Sequence, residues 1–377
     1  RGVRDRLVER LEDAGMEVRV DRVGNVAGRW VPASADPDAA PVAAGSHLDS
    51  VPAGGIFDGP LGVYGALEAV RALQDAGVEP ARPVEVVSFT EEEGGRFSPG
   101  LLGSSVAAGV RDPDAALATT DDEGVALGDA LADIGYRGDG VVDAARWDAW
   151  LELHVEQGTR LEDAGAPAGV VTTVTGIAHY RATVVGEADH AGTTPMDARR
   201  DALAAAAAVV GGVEAAGRRA AEAGEGAAVA TVGSLDVAPG ATNVVPGRVE
   251  MGVDVRDVAA GSMETMADGV AEHLAAVERE RPVTTDLTRE MWVDPREMAE
   301  RCRTALDDGA AAAGVDAPAL HSGAAHDSMH VARVTDAGLL FAPSRGGYSH
   351  TPLEWTDWDD CAAATRVLAN ALAELAT

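Results

Sequence analysis

Histidines and carboxylates gather at a few points along the chain: His47 with Asp49, then Asp58, the triplet Glu91 to Glu93, His154 between Glu152 and Glu156, the pair His326-Asp327, and His350. Nitrogen and oxygen donors of this kind suit divalent cations such as Zn2+, Mn2+, Co2+ or Ni2+, with no thiolate required. Taken singly, each has an ordinary explanation. A lone histidine is usually a surface or satisfied core residue, and an acidic triplet in an acidic chain is usually solvated. Their conjunction says more, because short apolar runs lead directly into them.

Those runs are the elements that must position the chemistry. Pro41–Gly45 is an apolar strand feeding Ser46-His47-Leu48-Asp49-Ser50, and Val84–Phe89 feeds the glutamate triplet. Leu61 to Ala76 reads as the helix between them. Strand, polar loop, helix, strand is an α/β pattern, and in open α/β sheets ligands sit beyond the carboxyl ends of the strands. Leu151–Glu156 alternates apolar with polar and reads as a half-buried strand presenting His154 between two carboxylates. Arg1–Gly15 has helical spacing, while residues 107–147 read as acidic and loop-rich. Around Gly176 the character changes. Thr194-Pro195 looks like a helix cap before an alanine-rich helix to about Ala223, followed by strands at Ala227–Val232 and Val249–Val255 and a helix over Ser262–Glu278. From Pro295 the helix–strand alternation resumes and ends in a helix over Asp359–Ala376. The expected organisation is one discontinuous α/β domain, residues 1–175 and 289–377, with a smaller α+β domain inserted at 176–288.

The run from Gly45 to Gly59, with His47 and Asp58 only a short gap apart, resembles the metal-binding signature of the amidohydrolase branch of the M20 metallopeptidase clan. That branch holds N-carbamoyl-L-amino-acid hydrolases, allantoate amidohydrolases and β-ureidopropionases. Further matches follow in the expected order: Phe89 to Phe97, Glu152 to Gly158, Asp189 to Met196, Thr242 to Gly247, Ser322 to Asp327 and Ser349 to Pro352. Ala325 departs from the family's usual glycine before His326.

The resemblance implies a mixed-sheet metallohydrolase catalytic domain, an inserted dimerisation (lid) domain and two divalent ions per subunit. His47 and His154 would hold one ion, Glu93 and His350 the other, and Asp58 would bridge them. Asp49 would orient His47 from behind, and Glu92 would be the general base toward the attacking water. By the same resemblance His190 stabilises the oxyanion, Asn243 and Arg256 hold a substrate carboxylate, and Gln157 and His326 line the pocket. Read without the resemblance, Arg256 in Val253-Asp254-Val255-Arg256 would simply pair with an aspartate, Asn243 would be a turn residue and His190 a loop histidine. The family also implies a homodimer in which part of each site reaches across from the partner subunit. The expected reaction is hydrolysis of a ureido or N-carbamoyl C–N bond next to a carboxylate. Allantoate or an N-acyl amino acid are the alternative substrates.

Composition narrows the field. The 377 residues carry 62 acidic against 30 basic side chains, a net charge of −32, and every basic one is arginine. A P-loop has no candidate lysine, and nucleic acid as partner is disfavoured because no basic excess exists to replace its counterions. The charge is spread along the chain, which fits a solvated surface adapted to concentrated salt, where screening lengths shrink to ~3 Å at 1 M. Cys302 and Cys361 are too few to staple a framework and read as core residues in a reducing compartment. The longest apolar run, Ala202 to Val213, is short of a membrane span, and no signal peptide opens the sequence. A soluble protein of a salt-rich cytoplasm is therefore expected, with numbering that starts inside a longer chain. Among rivals, G-x-S-x-G and G-x-G-x-x-G are both absent. His326-Asp327-Ser328-Met329-His330 has helical zinc spacing but lacks the glutamate base. An inactive metal-binding dimeric scaffold would have no need of a free Glu92.

Overall fold

The computed structural model describes residues 1–98, 100–224 and 227–377. Two compact units divide the chain: Arg1–Thr172 with Glu297–Thr377, and Thr173–Arg296. In chain order the first contains α1 (Gly2–Asp13), β1 (Glu17–Val20), β2 (Val26–Trp30), β3 (Val42–His47), α2 (Pro60–Asp75), β4 (Val84–Phe89), β5 (Ala149–Val155) and β6 (Gly169–Val174). The second contains β7 (Gly176–Val185), β8 (Asp189–His190), α3 (Ala202–Ala223), β9 (Val229–Ala238), β10 (Val244–Val245), β11 (Arg248–Asp257), α4 (Ala260–Glu280) and β12 (Thr284–Val293). The chain then returns through β13 (Arg296–Glu297), α5 (Glu300–Ala313), β14 (Ala319–Ser322), β15 (Asp336–Ala342) and α6 (Trp358–Leu375).

The first unit is built on a nine-stranded mixed sheet in the order β1-β2-β4-β3-β5-β15-β6-β13, with β14 added to β6. Its centre is parallel: β3 pairs with β4 and with β5, and β15 pairs with β5. Every residue of β3, β4 and β5 is buried, as parallel strands covered on both faces must be. The half-buried reading of β5 is therefore corrected. Its alternating polar residues face the interior, and each finds a partner there. The Glu152 carboxylate accepts from Ser46 Oγ at 2.8 Å and from Ser328 N and Oγ at 2.9 and 2.6 Å. Glu156 accepts the first amides of the short helix Arg160–Ala164. Buried carboxylates are tolerated only when satisfied in this way.

The second unit is an antiparallel sheet, β12-β7-β11-β9, with α3 and α4 packed against it. Along β11, Val249, Met251, Val253 and Val255 are buried while the residues between them are not, the period-two signature of a sheet with one covered face. A separate ribbon pairs β8 with β10. The helix start also differs from expectation. Pro195 leads only into a single 3-10 turn, Met196–Ala198. The cap of α3 is Asp201, whose Oδ1 accepts from Leu203 N and Ala204 N at 3.0 and 2.9 Å. The stretch between residues 107 and 147 holds short helices, Pro113–Leu117 and Leu127–Ile134, inside the expected loop.

Cys302 and Cys361 are buried, and burial pushes their thiols up to about 12 and about 11. Among the described residues no helix is long and apolar enough to cross a membrane.

Candidate metal centre

Four of the predicted donors converge because the parallel strands end at one edge. His47 is the last residue of β3, and His154 lies near the end of the neighbouring β5. Asp58 comes from the loop entering α2, and Glu93, next to the expected base Glu92, from the loop leaving β4. The fifth, His350, arrives from the loop before α6. Its φ of 56°, like the 57° at Glu91, is a left-handed conformation that costs a non-glycine residue about 1–2 kcal/mol and that tight functional loops retain.

The side chains form two overlapping clusters, His47–Asp58–His154 and Asp58–Glu93–His350, with donor atoms within 4.8 Å of one another in each. Asp58 belongs to both. Its Oδ1 lies 3.5 Å from His47 Nε2 and 3.2 Å from His154 Nε2. Its Oδ2 lies 3.5 Å from His350 Nε2, which in turn is 3.2 Å from Glu93 Oε2. Glu92 is in neither cluster, yet its Oε2 stands 3.6 Å from His47 Nε2.

Main-chain carbonyls set the tautomers. His47 Nδ1 lies 3.0 Å from the Asp49 carbonyl and His154 Nδ1 lies 3.1 Å from the Val155 carbonyl. A carbonyl only accepts, so Nδ1 carries the proton in both rings and Nε2 is left as the donor atom. Asp49 thus acts on His47 through its main chain. Its carboxylate is 3.8 Å from the ring and instead accepts Glu93 N at 3.0 Å. The ring of His47 has room because residue 59 is glycine: a Cβ there would sit 2.4 Å from the imidazole.

Do these residues fit divalent cations? His47 Nε2 and Glu93 Oε1 are buried without a hydrogen-bond partner among the described residues, which buried polar atoms rarely tolerate. The electrostatics agree. Burial alone would raise the Asp58 carboxyl, but the imidazoles of His154 and His47 beside it and the hydrogen bond from Ser349 hold it well below the carboxylate range. Burial alone would lower His154 and His47. Asp58 lifts His154 to about 9, and Glu92, Asp58 and Asp49 lift His47 well above the usual imidazole value. Burial raises Glu92 to about 7 against the pull of His47 and His154, and burial with Asp58 raises Glu93. The carboxylates demand positive charge, and cations at the two clusters would meet that demand directly. The residues fit.

Other predicted residues stand elsewhere. Gln157 Nε2 donates to Asp58 Oδ2 and to Ser349 Oγ, both at 3.1 Å, while Ser349 Oγ donates to Asp58 Oδ2 at 2.6 Å. Here Gln157 steadies the shared carboxylate. His326 is buried edge-on against His154 at 4.6 Å between ring centroids, with Ser322 Oγ 2.8 Å from its Nε2. Burial keeps its imidazole well below the usual value. Beside it Asp327 is buried, and burial with Glu152 and Glu92 nearby pushes its carboxyl well up.

His190, Asn243 and Arg256 lie in the second unit. The β8–β10 ribbon brings His190 opposite Val244, next to Asn243. His190 Nδ1 accepts from Gly192 N at 2.9 Å and Thr193 N at 3.2 Å, which leaves Nε2 as the nitrogen that carries the ring proton. Arg256 makes the pairing with Asp254 that its spacing suggests, Nε to Oδ1 at 3.0 Å. It sits eight positions along β11 from Arg248, the end next to the ribbon, a separation of roughly 27 Å at the usual strand rise.

Some contacts lay beyond sequence reasoning. The carboxylate of Glu354 accepts from Phe57 N at 2.8 Å and Asp58 N at 3.0 Å, and no spacing signal links positions so far apart in the chain.

Residues 43–374 match the model of peptidase family M20/M25/M40. The chain is 40% identical over 380 residues to an N-carbamoyl-L-amino acid amidohydrolase of Geobacillus stearothermophilus, covering 100% of this chain and 91% of that one. It is 35% identical to an allantoate amidohydrolase of Bacillus subtilis, covering 97% and 88%. Among solved structures, a hydantoinase/carbamoylase family amidase from Burkholderia multivorans superposes with a TM-score of 0.92 at 38% identity, over 99% of this chain and 89% of that one.

Proposed function

Because the chain belongs to peptidase family M20/M25/M40, we propose that it hydrolyses the C–N bond of a ureido group on a small carboxylate substrate, an N-carbamoyl-L-amino acid in the first place. The observation that carries this is the pair of donor clusters sharing Asp58, with Glu92 beside them and outside both. Relatives named for N-carbamoyl-L-amino acids and for allantoate support the substrate class and its alternative.

His47 and His154 would hold one divalent ion, Glu93 and His350 a second, and Asp58 would be common to both, with Zn2+ or Mn2+ the leading candidates and Co2+ or Ni2+ possible for such donors. Bound there, the ions supply Lewis acidity that polarises the carbonyl and makes a water more acidic. Glu92 takes the proton of the attacking water on its carboxylate and delivers it to the departing nitrogen. The Nε2–H of His190 donates to the oxyanion that develops on the ureido carbonyl oxygen. Arg256 offers a planar fork to the substrate carboxylate, exchanging Asp254 for it, and Asn243 adds a neutral donor. One water is consumed, and an N-carbamoyl amino acid yields the free amino acid, carbon dioxide and ammonia.

The separation along β11 supports the homodimer: Arg256 stands roughly 27 Å along the strand from the end that adjoins the ribbon of His190, so each site would take the two residues from different copies. The acidic surface supports work in a salt-rich cytoplasm. Ammonia and amino-acid release should be measured on metal-reconstituted protein with N-carbamoyl-L-amino acids, allantoate and N-acetyl amino acids. Turnover of the N-carbamoyl compounds is expected to lead. Preference for allantoate would move the assignment within the family, and no turnover of any would favour a scaffold.

A further inference from the structure

The loop between β15 and α6 does more than deliver His350. Glu354, on the same loop, is buried at 3% exposure, and its Oε1 receives the main-chain N–H groups of Phe57 and Asp58 at 2.8 and 3.0 Å. Those amides belong to the residue shared by both clusters and to its neighbour. The contact is tight because residue 55 is glycine: a Cβ there would come within 2.2 Å of Glu354 Oε1, 2.3 Å of Cδ and 2.5 Å of Cβ. An aromatic seam closes the same junction, with Phe57 5.4 Å from Trp355, edge to face, and 5.4 Å from Trp358. From this one loop Ser349 donates to Asp58 Oδ2, His350 faces Asp58 and Glu93, and Glu354 holds the backbone from which Asp58 projects.

We propose that Glu354 is a positioning residue of the dinuclear centre. By fixing the Phe57–Asp58 peptide to the loop that carries His350, it makes the two clusters close as one unit rather than as independent sites. The physical basis is strict. Asp58 must point its two oxygens at two different groups of donors, so small rotations of its backbone misplace both at once, and hydrogen bonds from two adjacent amides into one buried acceptor oxygen oppose that rotation. The inference rests on the metal-centre reading above. It makes no use of the substrate assignment.

The test is binding of Mn2+ or Zn2+ alone to the metal-stripped full chain, by chelator competition, with circular dichroism to confirm folding. Glu354→Ala is expected to weaken metal binding about 10–100-fold, the range for partners that orient ligands from behind. Glu354→Gln keeps an acceptor oxygen for both amides and should stay within about threefold of the parent. Gly55→Ala, which displaces the carboxylate without removing it, should weaken binding as Glu354→Ala does. Because Glu354→Gln and Gly55→Ala leave the junction filled, they decide the matter if the alanine variant at position 354 fails to fold. Parental affinity in folded Glu354→Ala or Gly55→Ala would overturn the proposal, as would equal weakening in Glu354→Gln. Parent protein that binds metal but turns over none of the ureido substrates would overturn the function and leave this inference standing. Parent protein that binds no metal would overturn both.

Discussion

Glu92 and Glu93 are neighbours in sequence but keep different company. Glu93 faces His350 beside Asp58, whereas Glu92 stands against His47 in a buried setting that lifts its carboxyl to about 7. In the proposed mechanism one would hold an ion and the other would exchange a proton. Glu92→Gln keeps the shape and loses the base, so kcat should fall by about 10²–10⁴-fold while metal content, measured by elemental analysis, stays at the parental level. Parental turnover would remove the assigned base. At this scale the sequence was informative, because donors such as His47 and the glutamate triplet follow directly from apolar strands. Glu354, and the contact that the expected pocket residue Gln157 makes with Asp58, were opaque for a shared reason. Their roles are hydrogen bonds to Asp58 or its backbone across long stretches of chain, which neither residue type nor spacing encodes.

The elements were legible in proportion to their periodicity. The strand at Val84–Phe89 and the helices near both termini stand where apolar spacing puts them. The interior of β5 was misread because alternation normally means one wet face, whereas Ser46 and Ser328 satisfy Glu152 inside the protein. The start of α3 was misread because a proline after threonine mimics a cap. Asp201→Ala should therefore lower stability by about 1 kcal/mol in a urea melt followed by circular dichroism, and Thr194→Ala by less than half of that. Between β1 and β2 the buried Asp21 accepts from Val23 N, Asn25 N and Asn25 Nδ2. Burial outweighs those bonds and raises its carboxyl to about 6. The folded state thus holds that proton more tightly than the unfolded chain. Its contribution is fully present below the ordinary carboxylate pKa near 4 and is lost as pH rises through about 6, an effect of about 3 kcal/mol. Asp21→Asn should flatten unfolding free energy measured across that window.

For the whole molecule, the proposed homodimer, with His190 and Arg256 of each site coming from different copies, makes a quantitative demand. His190→Ala and Arg256→Ala should each be nearly inactive. After denaturation and renaturation together, random pairing would put one intact site in about half of the dimers, which restores roughly a quarter of parental activity. No recovery from a mixture shown to have exchanged subunits would return both residues to one chain's site. Net charge makes a second demand. At −32 the protein repels an anionic substrate, and the screening length shrinks from ~10 Å at 0.1 M salt to ~3 Å at 1 M. KM for a carboxylate substrate should fall over that range in steady-state assays, and a rising KM would contradict the idea that the acidity suits concentrated salt. The charge imbalance was plain in the sequence. The separation along β11 was not, since it depends on strand register.

The pairing of β5 with β15 bears on how the protein comes into being. On a ribosome, β5 emerges long before its parallel neighbour, because the whole second unit is encoded between them. At about 5–20 residues per second, the nascent chain spends on the order of 10–40 s with that edge unpaired and with Ser328 not yet made to receive Glu152. Throughout that interval a half-finished sheet exposes a sticky strand whose Glu152 carboxylate has Ser46 but not yet Ser328 as a partner. Helpers that shield nascent chains, or slow synthesis in the cold, should therefore govern how much usable enzyme a cell obtains from this message.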